Sequence, residues 1–156
     1  MRQKALEHET GMPYHFEFDE KHRILLIVVE GEYSDEDQLQ INSDIRTHAT
    51  ALNVAAGIGD MSAITSCTVT PAAIQIAARE SSPYEPSTKR FLVAASDHMF
   101  GISRMYQQTV VEKSRSQIQV VRSRAEALAA LGVSEEEVVF EAVALTPQDC
   151  VARNVM

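Results

Sequence analysis

Between two charged residues, Arg23-Ile24-Leu25-Leu26-Ile27-Val28-Val29-Glu30 sets six aliphatic side chains in a row. β-Branched residues dominate the run, and it is short for a buried helix. It lacks the polar alternation of a strand with one wet face, so it reads as a strand covered on both sides. Such a strand needs helices layered above and below its sheet.

Upstream, Asp19-Glu20-Lys21-His22 is a polar turn, and His15-Phe16-Glu17-Phe18 alternates polar and apolar. Together with Arg23–Glu30 this reads as a β-hairpin. Downstream, Ser34 with Asp37 resembles a capping box for a helix to about Leu52. Ile41, Ile45, His48 and Leu52 share one helical face, so His48 is expected as a packed residue on an apolar stripe. Val54–Asp60 (VAAGIGD) reads as a short central strand, in which Gly57 and Gly59 allow close approach to the backbone. A polar loop is expected from Asp60 to Val69. Thr70-Pro71 then supplies a hydroxyl N-cap and an N1 proline for a helix to about Glu80. The two prolines of the Ser81–Pro86 stretch stop it.

Arg90–Ser96 (RFLVAAS) is the next strand. Asp97 is a candidate cap for a helix whose expected buried stripe is Ile102, Met105, Tyr106, Thr109 and Val110. Ile118 and Val120 mark a fifth strand. Ser123 and Glu126 form a capping box for a short helix closed by Gly132. Ser134 and Glu137 form another, for an extra final helix over about residues 134–145. The sum is an α/β fold: a five-stranded mixed sheet, an N-terminal β-hairpin followed by alternating strands and helices. Residues 13–145 are expected to form one domain, with a flexible leader at 1–12 and a tail at 146–156.

The chain has 156 residues, of which 45% are hydrophobic and 23% charged, and this suits one folded domain. No apolar run nears the ~18 residues of a membrane span, so no integral membrane association is expected. The first residues, MRQKALEHETG, hold neither the apolar core nor the cleavage site of a secretory signal, so the expected location is cytoplasmic. Net charge is −8, which disfavours nucleic acid and anionic membranes as partners. The charge is uneven: residues 89–124 sum to +5 and the rest to −13. Cys67 and Cys150 make no disulfide framework, and the five histidines have no metal-ligand spacing. No metal and no cofactor is expected. Gly-x-Ser-x-Gly, Gly-x-Gly-x-x-Gly and Walker motifs are absent.

In element order and in three segments the chain resembles the SpoIIAA-like family, which is related to STAS domains and shares a fold with Sec14-type lipid-binding domains. Asp60-Met61-Ser62-Ala63-Ile64 is similar to the Asp-x-Ser-x-aliphatic stretch that ends a central STAS strand. Phe100-Gly101-Ile102-Ser103-Arg104-Met105-Tyr106 is similar to a helix start of SpoIIAA-like proteins. Ser123 to Gly132 (SRAEALAALG) is similar to the closing helix of both. The resemblance covers roughly residues 13–132. It implies a STAS-like regulatory domain with a phosphorylatable hydroxyl at the helix start after the central strand. Here that position is Thr70. The usual Asp-Ser-Ser-Gly run is replaced by Thr68-Val69-Thr70-Pro71, and Thr70 before Pro71 is fully explained as an N-cap.

The candidate binding residues are Asp60, Ser62 and Thr65, at the carboxyl end of a strand where α/β sheets gather ligands, and Phe100 with Arg104. The last two lie one turn apart on the helix side away from its expected stripe. Phe100 is expected against the Pro83–Pro86 loop, stacked on Arg104, or against another subunit. Asp60 and Ser62 are also plain turn formers. The leading functional reading is a non-enzymatic regulatory module that binds a protein partner and self-associates as a homo-oligomer. The alternative is a carrier of a small hydrophobic ligand or lipid, for which Ala55, Ala56, Gly57 and Gly59 leave room. A hydrolase or transferase using Asp60, Ser62 and His98 is the third.

Overall fold

The computed structural model describes residues 13–80, 84–85, 87–110 and 118–143. Along the chain run β1 (Tyr14–Asp19), β2 (Ile24–Tyr33), α1 (Asp35–Leu52), β3 (Ala56–Cys67), α2 (Pro71–Arg79), β4 (Lys89–Val93), α3 (Asp97–Thr109), β5 (Ile118–Val121), α4 (Arg124–Ala130) and β6 (Glu141–Val143). They form one mixed sheet in the order β5-β4-β3-β2-β1-β6. The hairpin pairs Tyr14 with Val29 and Asp19 with Ile24. From β2 to β5 the neighbours are parallel, and β1 and β6 are antiparallel additions.

As its apolar run demands, β2 is covered on both faces. Leu25, Ile27 and Val29 meet Phe16 and the α1 residues Ile41 and Ile45. Ile24, Leu26 and Val28 meet Ile58, Phe91, Val93 and the α4 residues Ala127 and Leu128. One layer thus holds α1, and the opposite layer holds α4. His48 is buried in the first layer with its ring 5.0 Å from Phe16.

The caps behave as their sequences dictate. Ser34 and Asp37 form the full capping box of α1. Thr70 accepts from the Ala73 N–H at the start of α2. Gly132 takes φ +75° after α4, its N–H reaching the Ala129 carbonyl while Val133 N–H reaches Leu128. At α3 the N-cap is Ser96, which accepts from Met99 N–H, and Asp97 sits in the first turn.

Several expectations are corrected. Among the described residues the sheet has six strands, not five, and there is no helix over 134–143. Ser134 and Glu137 do bond as a capping box, but they close a single turn. Beyond it Val138 and Phe140 pack against the α4 layer while Val139 faces outward, which is a strand's period of two. The chain then pairs with β1 as β6. The stretch after Asp60 is not a loop: β3 continues to Cys67, paired with β2 alone through two register shifts. The buried stripe of α3 is also turned. Met99 and Ser103 are buried, whereas Met105 is 40% exposed. Residues 1–12 and 144–156, with the expected leader, tail and Cys150, lie outside the described residues, as do Pro83 and Pro86. No described helix is long and apolar enough to cross a membrane.

Candidate functional site

Asp60 lies where β3 parts from β4, opposite Val93, and is buried. One of its oxygens accepts from Ser62 N–H at 2.9 Å and the other from Arg124 Nε at 2.8 Å. The first contact is an Asx turn at the register shift. The second ties the start of α4 to the sheet. Both oxygens are therefore engaged in holding the fold. Ser62 and Thr65 are exposed further along β3. His98, the third member of the hydrolase reading, is exposed in the first turn of α3.

Phe100 does not stack on Arg104. The guanidinium of Arg122, just after β5, lies 4.0 Å from its ring centroid. Arg122 also bonds Asp97 at 2.9 Å and the Ala95 carbonyl. Arg104 is exposed one turn along α3. At Thr70 the hydroxyl donates to Asp35 at 2.9 Å, and the Thr70 N–H bonds the same carboxylate at 2.8 Å. A phosphate there would meet Asp35 directly and Glu36 and Asp37 of the same acidic turn nearby.

The sequence points to room beside Gly57 and Gly59, but not to the polar residues that line it. A cavity of about 90 Å³ sits between the sheet and α1, α2 and α3. Its walls are largely aliphatic: Ile27 and Val29 from β2, Ile41 and Ile45 from α1, Ile74 from α2, and Met99 and Ile102 from α3. Gly59 and Leu92 form part of its floor. Gly57 and Gly59 point to this side because Ile58 points to the other. Tyr84 occupies the space beside Gly57, where a Cβ would collide with its ring and hydroxyl. At Gly59 a Cβ would meet only Leu92 and the Phe91 carbonyl, at 3.5 and 3.9 Å. The recess at Gly59 is thus left to the cavity.

Polar groups reach this space from β4 and α3, and Tyr33 of β2 and Gln38 and Asn42 of α1 line it as well. Arg90, paired across from Gly57 on β4, keeps only 7% of its surface exposed. Its guanidinium lies 5.3 Å from the Tyr84 ring centroid and 5.7 Å from that of Tyr106. Its Nη2 donates to the Tyr106 hydroxyl at 3.2 Å. Among the described residues no carboxylate forms an ion pair with it. Burial pushes the Tyr84 phenol up to about 12, against the opposing pull of Arg90, so Tyr84 is a neutral neighbour and not a counter-ion. On α3, one turn before Tyr106, the Ser103 hydroxyl is buried with no hydrogen-bond partner among the described residues. Both Ser103 and Tyr106 line the cavity.

One signal in the sequence points here. Arg90 and Leu92 alternate with Phe91 and Val93, so an arginine shares a strand face with a half-buried leucine. A strand read as starting at Arg90 hides this, because a first residue is taken as solvated. Ser103 escapes for a similar reason: a serine is not counted into an apolar stripe.

No family model matches the chain, and no curated protein matches it either. Among solved structures it is similar to the anti-sigma factor antagonist SpoIIAA in its unphosphorylated form, at 14% identity and a TM-score of 0.50, over 76% of this chain and 97% of that one. It is also similar to an uncharacterized DUF3478-family protein with a SpoIIAA-like fold from Shewanella loihica PV-4. That match has 10% identity and a TM-score of 0.49, over 76% of this chain and 91% of the other. The chain has a SpoIIAA-like α/β fold.

Proposed function

We propose that this chain is a non-enzymatic binding module whose SpoIIAA-like fold holds a small molecule between its sheet and helices α1–α3. One observation carries the reading: an aliphatic cavity reached by a buried arginine that has no carboxylate partner among the described residues. An unpaired buried charge costs several kcal/mol in an apolar interior, and a bound partner offsets that cost. Apolar-walled pockets with a few convergent polar groups are the usual form of small-ligand sites. Native mass spectrometry of the protein taken from its own cells tests this. One low-mass adduct per chain, absent from a Gly59→Val variant that fills the recess, is the expected result. A bare chain from those cells, identical to the variant, would contradict it.

A second reading is a regulatory module that binds a protein partner and self-associates. It is favoured by the Phe100–Arg122 plate at the start of α3, with Arg104 exposed one turn on. Aromatic and arginine side chains are typical interface anchors. Sedimentation velocity over a range of concentrations tests self-association. The wild type is expected to gain mass with concentration and Arg104→Glu to stay monomeric. Identical monomeric behaviour of both would sink the self-association.

A further inference from the structure

Resting on the ligand-binding reading above, we infer that the occupant is a short-chain carboxylate. Its oxygens are taken by the Arg90 guanidinium and by the hydroxyls of Ser103 and Tyr106, and its apolar end lies toward Ile27, Val29 and Ile102. Four observations converge on this chemistry.

The first is charge. The Arg90 guanidinium is a cation with five N–H donors. One of them meets the Tyr106 hydroxyl, and the flanking rings of Tyr84 and Tyr106 are neutral faces for the cation. Cation–π contacts soften the desolvation of a guanidinium but use none of its in-plane donors. A planar carboxylate is the acceptor that this fork fits best.

The second is donors. Tyr106 accepts from Arg90, so its own proton is left to donate. Ser103 Oγ is buried and unpartnered among the described residues. A mid-helix serine ordinarily bonds back to the carbonyl four residues earlier, and this one does not. Ser103 and Tyr106 are three apart on α3 and therefore share a face. Two hydroxyl donors and a guanidinium converging on one part of this space fit an anion there; the amides of Gln38 and Asn42 also line the space.

The third is size. An apolar cavity of about 150 Å³ admits benzene. A cavity of about 90 Å³ therefore encloses about four non-hydrogen atoms on the same scale, the size of a short chain's apolar end. A long-chain lipid would not be enclosed. The fourth is the wall. Apart from Tyr33, Gln38 and Asn42, apolar side chains line the rest of the space, which disfavours a fully hydrated ion such as phosphate.

The test is calorimetric titration of the full chain at neutral pH with butyrate and with butyramide, its neutral analogue. Butyrate is expected to bind once per chain and butyramide at least tenfold more weakly. Ser103→Ala is expected to weaken butyrate several-fold while raising the melting temperature of the ligand-free protein, because it removes an unpaired buried hydroxyl. A purely structural serine would not move both readouts in opposite directions. Arg90→Gln is expected to erase the preference for butyrate, and if it fails to fold, Ser103→Ala and Tyr106→Phe carry the test. Equal binding of butyrate and butyramide would overturn the carboxylate assignment and leave the ligand-binding reading intact. Displacement of butyrate by equimolar phosphate would overturn the apolar half of the assignment. Binding of neither probe would overturn the inference, and the adduct seen from the protein's own cells then decides whether the ligand-binding reading survives it.

Discussion

The two faces of the sheet solve the same burial problem differently. On the α4 face, Ile24, Leu26, Val28, Ile58, Phe91 and Val93 interlock with Ala127 and Leu128. The buried charges there are matched: Asp60 meets Arg124, and Asp19 accepts from His22 N–H at 2.8 Å, from the His22 ring at 3.2 Å and from Val139 N–H at 2.7 Å. On the other face three helices leave a cavity, an arginine without a carboxylate among the described residues and a hydroxyl without a partner among them. A short helix and an extended segment close a sheet tightly. The wider helical layer leaves room, and the polar groups turned into that room are the ones a ligand would satisfy.

This contrast predicts unequal costs for equal truncations. Leu26→Ala, on the closed face, is expected to lose about 3–5 kcal/mol in urea unfolding. Ile102→Ala, on the cavity wall, is expected to lose about 1–2 kcal/mol, since part of its surroundings is already open. Equal losses would erase the distinction between the faces.

Asp19 gives the next largest effect. Burial would raise its carboxyl, but the N–H donors of His22 and Val139 and the His22 side chain outweigh that and hold it below the usual carboxylate range. Its contribution is therefore complete above the unfolded value of about 3.9 and is lost as pH falls through the lower folded value. Asp19→Ala, which removes the acceptor of the half-buried His22 and Val139 N–H bonds, is expected to cost about 1–3 kcal/mol at pH 7. Thermal unfolding from pH 7 to pH 2 should show wild type and Asp19→Ala converging at the acid end. Parallel curves would show that Asp19 does not anchor the closed face.

Single methyl changes sharpen the comparison on a finer scale. Gly57→Ala is expected to cost about 1–3 kcal/mol in urea unfolding, because its Cβ would displace Tyr84. Thr70→Ala follows, with an expected loss of about 1 kcal/mol as an N-cap deletion. No loss there would mean that the Thr70–Asp35 contact is idle and that Thr70 is free for another role. Smallest of all, Gly59→Ala is expected within about 0.5 kcal/mol of wild type, since its Cβ finds ordinary contacts beside the cavity.

Much of the fold is legible in the amino-acid sequence. The run Ile24–Val29 dictates a two-sided sheet, and the alternation at His15–Phe18 dictates its hairpin. What escapes has physical causes. The Ser134/Glu137 box is a genuine local signal, but it is satisfied by one turn. The residues after it, Val138-Val139-Phe140, favour extension, and buried Asp19 takes the Val139 N–H that a helix would have used. The continuation of β3 beyond Asp60 is polar and half exposed, so no apolar pattern marks it. Asp60 and Ser62 are legible as turn formers, and the Asx turn joins them. Arg90 and Ser103 are not legible as a pair, because only the packing of α3 over β4 brings a strand arginine and a helix serine to one cavity.

The most direct test is the Arg90 side-chain Nε–Hε resonance in a ¹H–¹⁵N spectrum, assigned with Arg90→Gln and followed during addition of butyrate. The account predicts a shift that saturates at one equivalent per chain and is absent when butyramide is added. An Arg90 signal that stays still, or that moves alike for both compounds, would contradict it.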